Sequence, residues 1–364
     1  MCVELLPEWR AVADVSLEVI PGGITNHLRL VRAVEPTPDD PASTSRSRLL
    51  PVVLRVFGRG TDAFLDRAVE ADALLELNAQ GFGATCLGVF RNGRLEACIP
   101  DVRPLRPEEM ALPAVADAIA ATMRRFHACD VPARRRSPGT WDVLRDWWRR
   151  ANAASRAAAA SAEGSRDVRR AFGELGTLGD AIDTLERECA SVSSPSVTLH
   201  NDALSGNFLV PADWRPSGPD DPPPTMRLID FEYACAGPRG FDVANHFAEH
   251  AGFECDWSKL PDERARARFC AAYVDAGAGD GEGTGRVVEG SSTSRDGDAA
   301  ALAREAEAFA PVAHLWWGLW AVMRAASQSD GEGEGFDYAA YAERRLAAFR
   351  ASRSTRTMPP RRNS

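Results

Sequence analysis

Apolar and polar positions alternate with a period of two near the start of the chain. Further on they recur every three to four residues. That change predicts a small sheet followed by a mainly helical body. Residues 16–20 (SLEVI), 27–34 (HLRLVRAV) and 52–57 (VVLRVF) predict three strands, the first two joined by the glycine turn Pro21-Gly22-Gly23-Ile24-Thr25-Asn26. A helix is expected over 62–79, with Leu65, Val69, Leu74 and Leu77 at its apolar positions. Two more strands, 86–90 and 95–99, flank the turn Arg91-Asn92-Gly93. The Pro/Ser/Asp-rich stretch 35–50 reads as a loose loop, and the proline-rich stretch Pro100–Pro107 as a hinge.

Past the hinge, helical patterns cover 108–129, 141–160, 167–190, 240–252, 261–276, 300–329 and 337–350. Short strands are expected among them at 197–199, 208–210 and 226–230. The low-complexity stretch 277–299 and the tail 351–364 are expected to be disordered. No internal repeat is visible. The expected organisation is a sheet unit over 1–103 and a helical unit over 104–350.

With 364 residues, 45% of them apolar and 26% charged, the chain can build a large core. Its formal charge of -9 argues against a broad nucleic-acid grip. The basic residues are 42 Arg against a single Lys, Lys259, so no Gly-Lys-Ser/Thr phosphate loop exists. A pyridoxal Schiff base could use only Lys259. Eight scattered Cys without a C-x-x-C argue against a disulfide framework or a thiolate zinc cage. The N-terminus lacks an apolar signal core. The most apolar stretch, 311–323, falls well short of the ~20 residues of a membrane span. These features predict a cytoplasmic protein without stable membrane insertion. Met1 lies close to the first strand, which leaves room for an extension preceding it. The arginine runs 134–136, 149–150 and 169–170 read as solvated faces.

The informative stretch is His200-Asn201-Asp202-Ala203-Leu204-Ser205-Gly206-Asn207, set between two apolar strands. In phosphoryl transfer, H-x-D-x-x-x-x-N supplies a base for the acceptor hydroxyl and an Asn ligand for magnesium. A D-F-x at a later strand end supplies a second metal ligand. Asp230-Phe231-Glu232 stands there, 28 residues after Asp202. Protein kinases need a lysine on the third strand. Here Arg55 occupies it, and an arginine can bridge phosphate oxygens and pair with Glu70 on the next helix. No A-P-E segment follows, and Glu replaces the Gly of D-F-G. The acceptor is therefore expected to be a small molecule.

These residues resemble the choline/ethanolamine kinases from about 14 to 350. The likeness is carried by P-G-G-I-T-N (21–26), V-L-R-V-F-G (53–58), G-R-L-E (93–96) with I-P (99–100), H-N-D-x4-N (200–207), L-I-D-F-E-Y (228–233), G-F-D-V-A-N-H-F-x-E (240–249), W-G-L-W (317–320) and F-D-Y-A-A-Y (336–341). The segment Glu249-His-Ala-Gly-Phe-Glu-Cys-Asp-Trp257, followed by Leu260-Pro-Asp262, is similar to the ethanolamine-kinase branch. The resemblance implies an α+β, two-lobed, protein-kinase-like fold. It implies ATP- and Mg2+-dependent phosphorylation of ethanolamine, the first step towards phosphatidylethanolamine, and it is compatible with a homodimer.

By the same resemblance Asp202 is the catalytic base, and Asn207 and Asp230 bind magnesium. Gly22, Gly23, Thr25, Asn26, Arg55 and Glu70 serve ATP. Tyr233, Glu249, Trp317, Trp320 and Tyr341 line an ammonium pocket. His200, Asp242 and Asn245 brace the catalytic loop, and Trp316 is expected in the core. Choline kinase is the nearest alternative, and a pseudokinase would have lost Asp202 or Asp230. A remoter reading is a zinc hydrolase, because His246-Phe-Ala-Glu249-His250 formally matches H-x-x-E-H.

Overall fold

The computed structural model describes residues 2–10, 12, 14–20, 26–34, 49–58, 66–135, 138–160, 175–216, 218, 221, 224–278, 292–327 and 336–357. Five strands, β1 (Val15–Ile20), β2 (Asn26–Ala33), β3 (Val52–Phe57), β4 (Cys86–Phe90) and β5 (Gly93–Ala97), form one antiparallel sheet in the order β1-β2-β3-β5-β4. A short helix, α1 (Cys2–Leu5), and a 3-10 turn over Pro7–Trp9 precede it. Leu6 and Trp9 from that segment pack with Val31, Val52 and Leu95 into a small core of their own. Residue Gly93 opens β5 because a Cβ there would collide with the Arg55 carbonyl.

The helix expected over 62–79 runs over Arg67–Ala79 (α2), with Asp66 as its N-cap accepting from the backbone N–H groups of Ala68 and Val69. Its buried Ala73, Leu74 and Leu77 belong to the main core of the other lobe, so α2 ties the two lobes together. The 35–48 part of the expected loop and most of the glycine turn, 21–25, lie outside the described residues.

The second lobe is helical. Its main helices are α3 (Pro113–His127), α4 (Pro132–Arg135), α5 (Thr140–Ala160), α6 (Leu178–Ala190), α7 (Arg239–Glu249), α8 (Glu263–Ala278), α9 (Ser292–Ser327) and α10 (Tyr338–Thr357). The helix expected at 108–129 is a 3-10 turn, Pro107–Ala111, followed by α3. Long helix α9 packs against α5, α7, α8 and α10. Residue Gly318 lets α10 approach, since a Cβ there would lie 2.8 Å from Leu346 Cδ2. As expected, Trp316 is core, 4.5 Å from Trp147 between ring centroids.

Two small antiparallel sheets hold the segments that bear Asp202 and Asp230. One joins β6 (Val102–Pro104), β8 (Phe208–Pro211) and β9 (Arg227–Leu228); the other joins β7 (Ser196–Leu199) and β10 (Cys235–Pro238). Strand β6 lies inside the expected hinge and pairs with β8, so that stretch is anchored to the helical lobe by ladder bonds.

Several expectations need correction. Residues 277–278 end α8 and 292–299 open α9, so they are ordered helix, and only 279–291 of that stretch lie outside the described residues. Residues 351–357 continue α10, and 358–364 are outside. Composition misled here because packing of the adjoining apolar turns carries a helix through polar ones. The strand expected at 226–230 covers only Arg227–Leu228, because Asp230 turns to a φ of 68°. Among the described residues no helix is long and apolar enough to cross a membrane.

Candidate active site

The loop after β7 is built from the chain outward by Asp242 on α7. Its Oδ2 accepts from the His200 backbone N–H at 2.7 Å, and its Oδ1 from that of Asn201 at 2.8 Å. The same Oδ2 meets His127 Nε2 at 2.9 Å, and His127 Nδ1 meets the Tyr273 hydroxyl at 2.7 Å. Burial raises the proton affinity of Asp242, but His127 and the other donors outweigh it and hold its carboxyl below the usual range. Asn245, one turn along α7, donates from Nδ2 to the Asn201 carbonyl at 2.9 Å. These bonds hold Asn201 at a φ of 65°, a left-handed conformation that Asn and Asp tolerate best after Gly. Side chain His200 reaches the Ile229 carbonyl at 2.9 Å, which links this loop to the one bearing Asp230. His200, Asp242 and Asn245 thus tie the backbone of residues 200–201 to α7 and to the Ile229 carbonyl.

From this frame Asp202 projects into a cavity of about 520 Å³. The Nδ2 of Asn207 donates to the Asp202 carbonyl at 2.7 Å and to its Oδ2 at 3.1 Å. Burial pushes the Asp202 carboxyl well above its ordinary range, and the nearby Glu249, Asp230 and Glu232 charges add to that. Aspartate Asp230 enters the same cavity with both oxygens near Arg55 Nη1, at 3.2 and 3.4 Å.

Residue Arg55 lines the cavity, but its partners differ from those expected. Its Nε donates to Glu96 Oε1 at 3.1 Å. Side chain Glu70 pairs instead with Arg94 Nη1 at 2.5 Å and Arg67 Nη1 at 2.6 Å, and it does not line the cavity. The strand register explains the difference. Arg55 and Arg94 sit directly opposite each other on β3 and β5, and Glu96, two residues on, shares their face. Glu96 lies between both guanidiniums, 2.6 Å from Arg94 Nε, and Arg94 in turn takes Glu70. Sequence spacing had no means to show the β3–β5 pairing. On β2, Asn26 lines the cavity and donates to Glu232 Oε2 at 2.9 Å; Gly22, Gly23 and Thr25 lie outside the described residues.

The other end of the cavity is aromatic. Tyr233, Trp317, Trp320, Tyr341 and Phe253 line it together with Glu249. Trp317 Nε1 donates to Asn245 Oδ1 at 2.7 Å, and Trp320 Nε1 to the Tyr233 hydroxyl at 2.9 Å. Both indole N–H groups are thus spent on the frame, and the rings stand edge to face, 5.4 Å apart. A further part of the lining is apolar, with Leu28, Val53, Ile99, Val102 and Leu209.

Three contributors had no role assigned from the sequence: Glu96 and Arg94 beside Arg55, and Arg345 behind the aromatic end. Arg94 and Glu96 stand within the G-R-L-E motif (93–96), and Arg345 stands four residues after Tyr341 on one helix face. The zinc reading lacks its parts. Its general base, Glu249, is ion-paired with Arg345 at 2.7 Å. Among the described residues no group of three or more His, Cys, Asp and Glu could hold a metal ion in that way.

The profile of the choline/ethanolamine kinase family matches residues 17–350. A probable ethanolamine kinase of Arabidopsis thaliana is 30% identical over 330 residues, 89% of this chain and 78% of that protein. The solved ethanolamine kinase of Plasmodium vivax superposes with a TM-score of 0.73 at 23% identity, covering 96% of this chain and 89% of its own. The solved choline kinase of Cryptosporidium parvum gives 0.69 at 20% identity, covering 97% and 94%. Those two share the two-lobed, protein-kinase-like fold. A sheet lobe, a helical lobe, and one cavity holding both the H-N-D-x4-N loop and the D-F-E turn are thus accompanied by a likeness along nearly the whole chain, which belongs to the choline/ethanolamine kinase family.

Proposed function

We propose that this kinase transfers the γ-phosphoryl group of ATP to the hydroxyl of ethanolamine. The observation that carries the reading is the position of Asp202. It stands in one cavity between Asn207, Asp230 and Arg55 at one end and a carboxylate set among aromatic rings at the other. Those ends fit a polyphosphate and an amino alcohol. An ammonium is held by Glu249 and by ring faces, each worth about 0.5–2 kcal/mol. In this reading the hydroxyl two carbons away is the group that Asp202 meets.

The donors at the phosphate end fit magnesium. Asp230 and Asn207 offer hard oxygens, no thiolate or imidazole lines the place where they meet, and Asn207 spends its Nδ2 on Asp202. Bound there, the ion would neutralise phosphate charge. The chain's own residues do the rest. Arg55 adds a fixed positive charge, held ionised by Asp230 and Glu96 despite its burial. Asp202 orients the acceptor hydroxyl and takes its proton as the new O–P bond forms and the bond to the leaving ADP oxygen breaks. The Asn207 amide fixes the Asp202 carboxylate for that task.

Ethanolamine is preferred to choline on two grounds. The cage contains a carboxylate that can accept an N–H, and a relative at 30% identity is named a probable ethanolamine kinase. Coupled ATP turnover with ethanolamine, choline and serine in parallel tests this. The highest kcat/KM is expected for ethanolamine. A higher value for choline would replace the substrate and keep the mechanism. No turnover with any amino alcohol would reject the reading.

A further inference from the structure

The wall carrying Glu249 and Tyr341 has a cation behind it that the proposed chemistry does not use. The side chain of Arg345 on α10 is fully buried. Its Nη2 donates to Glu249 Oε1 at 2.7 Å and its Nε to the Tyr341 hydroxyl at 2.8 Å. Its guanidinium carbon lies 5.2 Å from the Tyr341 ring centroid and 5.6 Å from that of Trp257. The Trp257 ring in turn meets His314 edge-on at 4.9 Å. Both Glu249 and Tyr341 line the cavity, whereas Arg345 does not.

We infer that Arg345 is the positioning residue that sets the selectivity of the amino-alcohol pocket, making Glu249 a hydrogen-bond acceptor rather than a bare charge. The inference rests on the amino-alcohol kinase reading of the same site. One rigid fork grips two pocket residues from different helices, Glu249 of α7 and Tyr341 of α10, and fixes their separation. It occupies Oε1, so Oε2 is the oxygen left for the substrate. It also cancels the carboxylate's charge at short range. A bare buried carboxylate attracts any small cation. An ion-paired one draws a cation weakly by charge alone but still accepts an N–H strongly. A primary ammonium, which carries N–H donors, therefore gains over a quaternary one, which has none and relies on the ring faces.

The test is steady-state kinetics of the wild type, Arg345→Met, Arg345→Lys and the double variant Glu249→Gln/Arg345→Met, with ethanolamine, choline and ATP each varied. The double variant removes both charges together, so it does not strand a buried carboxylate. In Arg345→Met the bared charge of Glu249 is expected to lower the choline KM, while loss of the fork that orients Glu249 Oε2 offsets that gain for ethanolamine. The ATP KM should hold within about twofold, and the ethanolamine-to-choline ratio of kcat/KM should fall by about tenfold. Arg345→Lys, which keeps the charge but loses the fork, should fall between. The double variant should show no further loss of ratio beyond Arg345→Met, because the two residues act as one unit. An unchanged ratio in the variants that fold overturns the inference, as does an ATP KM that rises in step with the amino-alcohol KM. The wild-type arm reads the substrate separately, so a failure of the ethanolamine assignment is seen before any variant is compared.

Discussion

Arg55 Nη1 lies 3.2 Å from Asp230 Oδ1, joining the central strand of the sheet lobe to the D-F-E turn of the helical lobe. The contact spans 175 residues of sequence and closes one end of the cavity. A phosphate chain entering there meets a guanidinium already pinned on its far side by Glu96. Replacing Arg55 by Met is expected to raise the ATP KM by about tenfold or more, the value of a charged hydrogen bond. The amino-alcohol KM should hold within about twofold. Initial rates with each substrate varied in turn check this. An unmoved ATP KM would leave Arg55 only as a counter-ion to Asp230.

The bond from Asn207 Nδ2 to Asp202 Oδ2, at 3.1 Å, sets the orientation of the carboxylate proposed as the base. Asp202→Asn keeps the shape and loses the proton acceptor. Its kcat is expected to fall by roughly 10²–10⁴, while nucleotide binding by calorimetry stays near the wild-type value. Wild-type turnover in this variant would remove Asp202 from the chemistry.

Asp242 makes three short contacts, to the backbones of His200 and Asn201 and to His127. Breaking a buried charged network from one side costs about 3–5 kcal/mol. Asp242→Ala should therefore lower the urea midpoint of unfolding by a corresponding amount. It should also reduce kcat per folded molecule, since the catalytic loop loses its frame. A variant with unchanged midpoint and rate would show the frame to be redundant.

Burial, and next the neighbouring Arg345 cation, depress the His314 pKa to about 3. The unfolded chain, with a histidine pKa of about 6.5, binds the proton first. Stability from this residue is thus complete above that pH and is lost as pH falls from about 6.5 towards 3, by up to about 1.4 kcal/mol per unit. His250, likewise depressed to about 3 by burial and then by His246, acts in the same direction. Urea midpoints at pH 7.5 and 5 should fall with pH in the wild type and fall less in His314→Asn. Parallel slopes in the two proteins would assign the acid sensitivity elsewhere.

Much of the site was legible in the sequence because its parts are local. The H-N-D-x4-N loop, the D-F-E turn, the paired tryptophans of one helix face and Glu249 on α7 each lie within a few residues. Chemistry of that kind needs a fixed short spacing. The periods of apolar residues likewise foretold a sheet followed by helices. Segment composition was a poorer guide, as the helical residues 292–299 and 351–357 show.

Charge pairing belonged to the tertiary structure. Whether Arg55 meets Glu70 or Glu96 depends on the register between β3 and β5, with strands 86–90 and 93–97 arriving long after residue 57. The partnership of Glu249 with Arg345 spans 96 residues and depends on how closely α10 approaches α9 and α7. Amino-acid order alone decided which reactive groups the chain carries and how each is locally displayed. Packing of distant elements decided which charges are neutralised, because a buried ion takes whatever opposite charge the fold brings within about 3 Å.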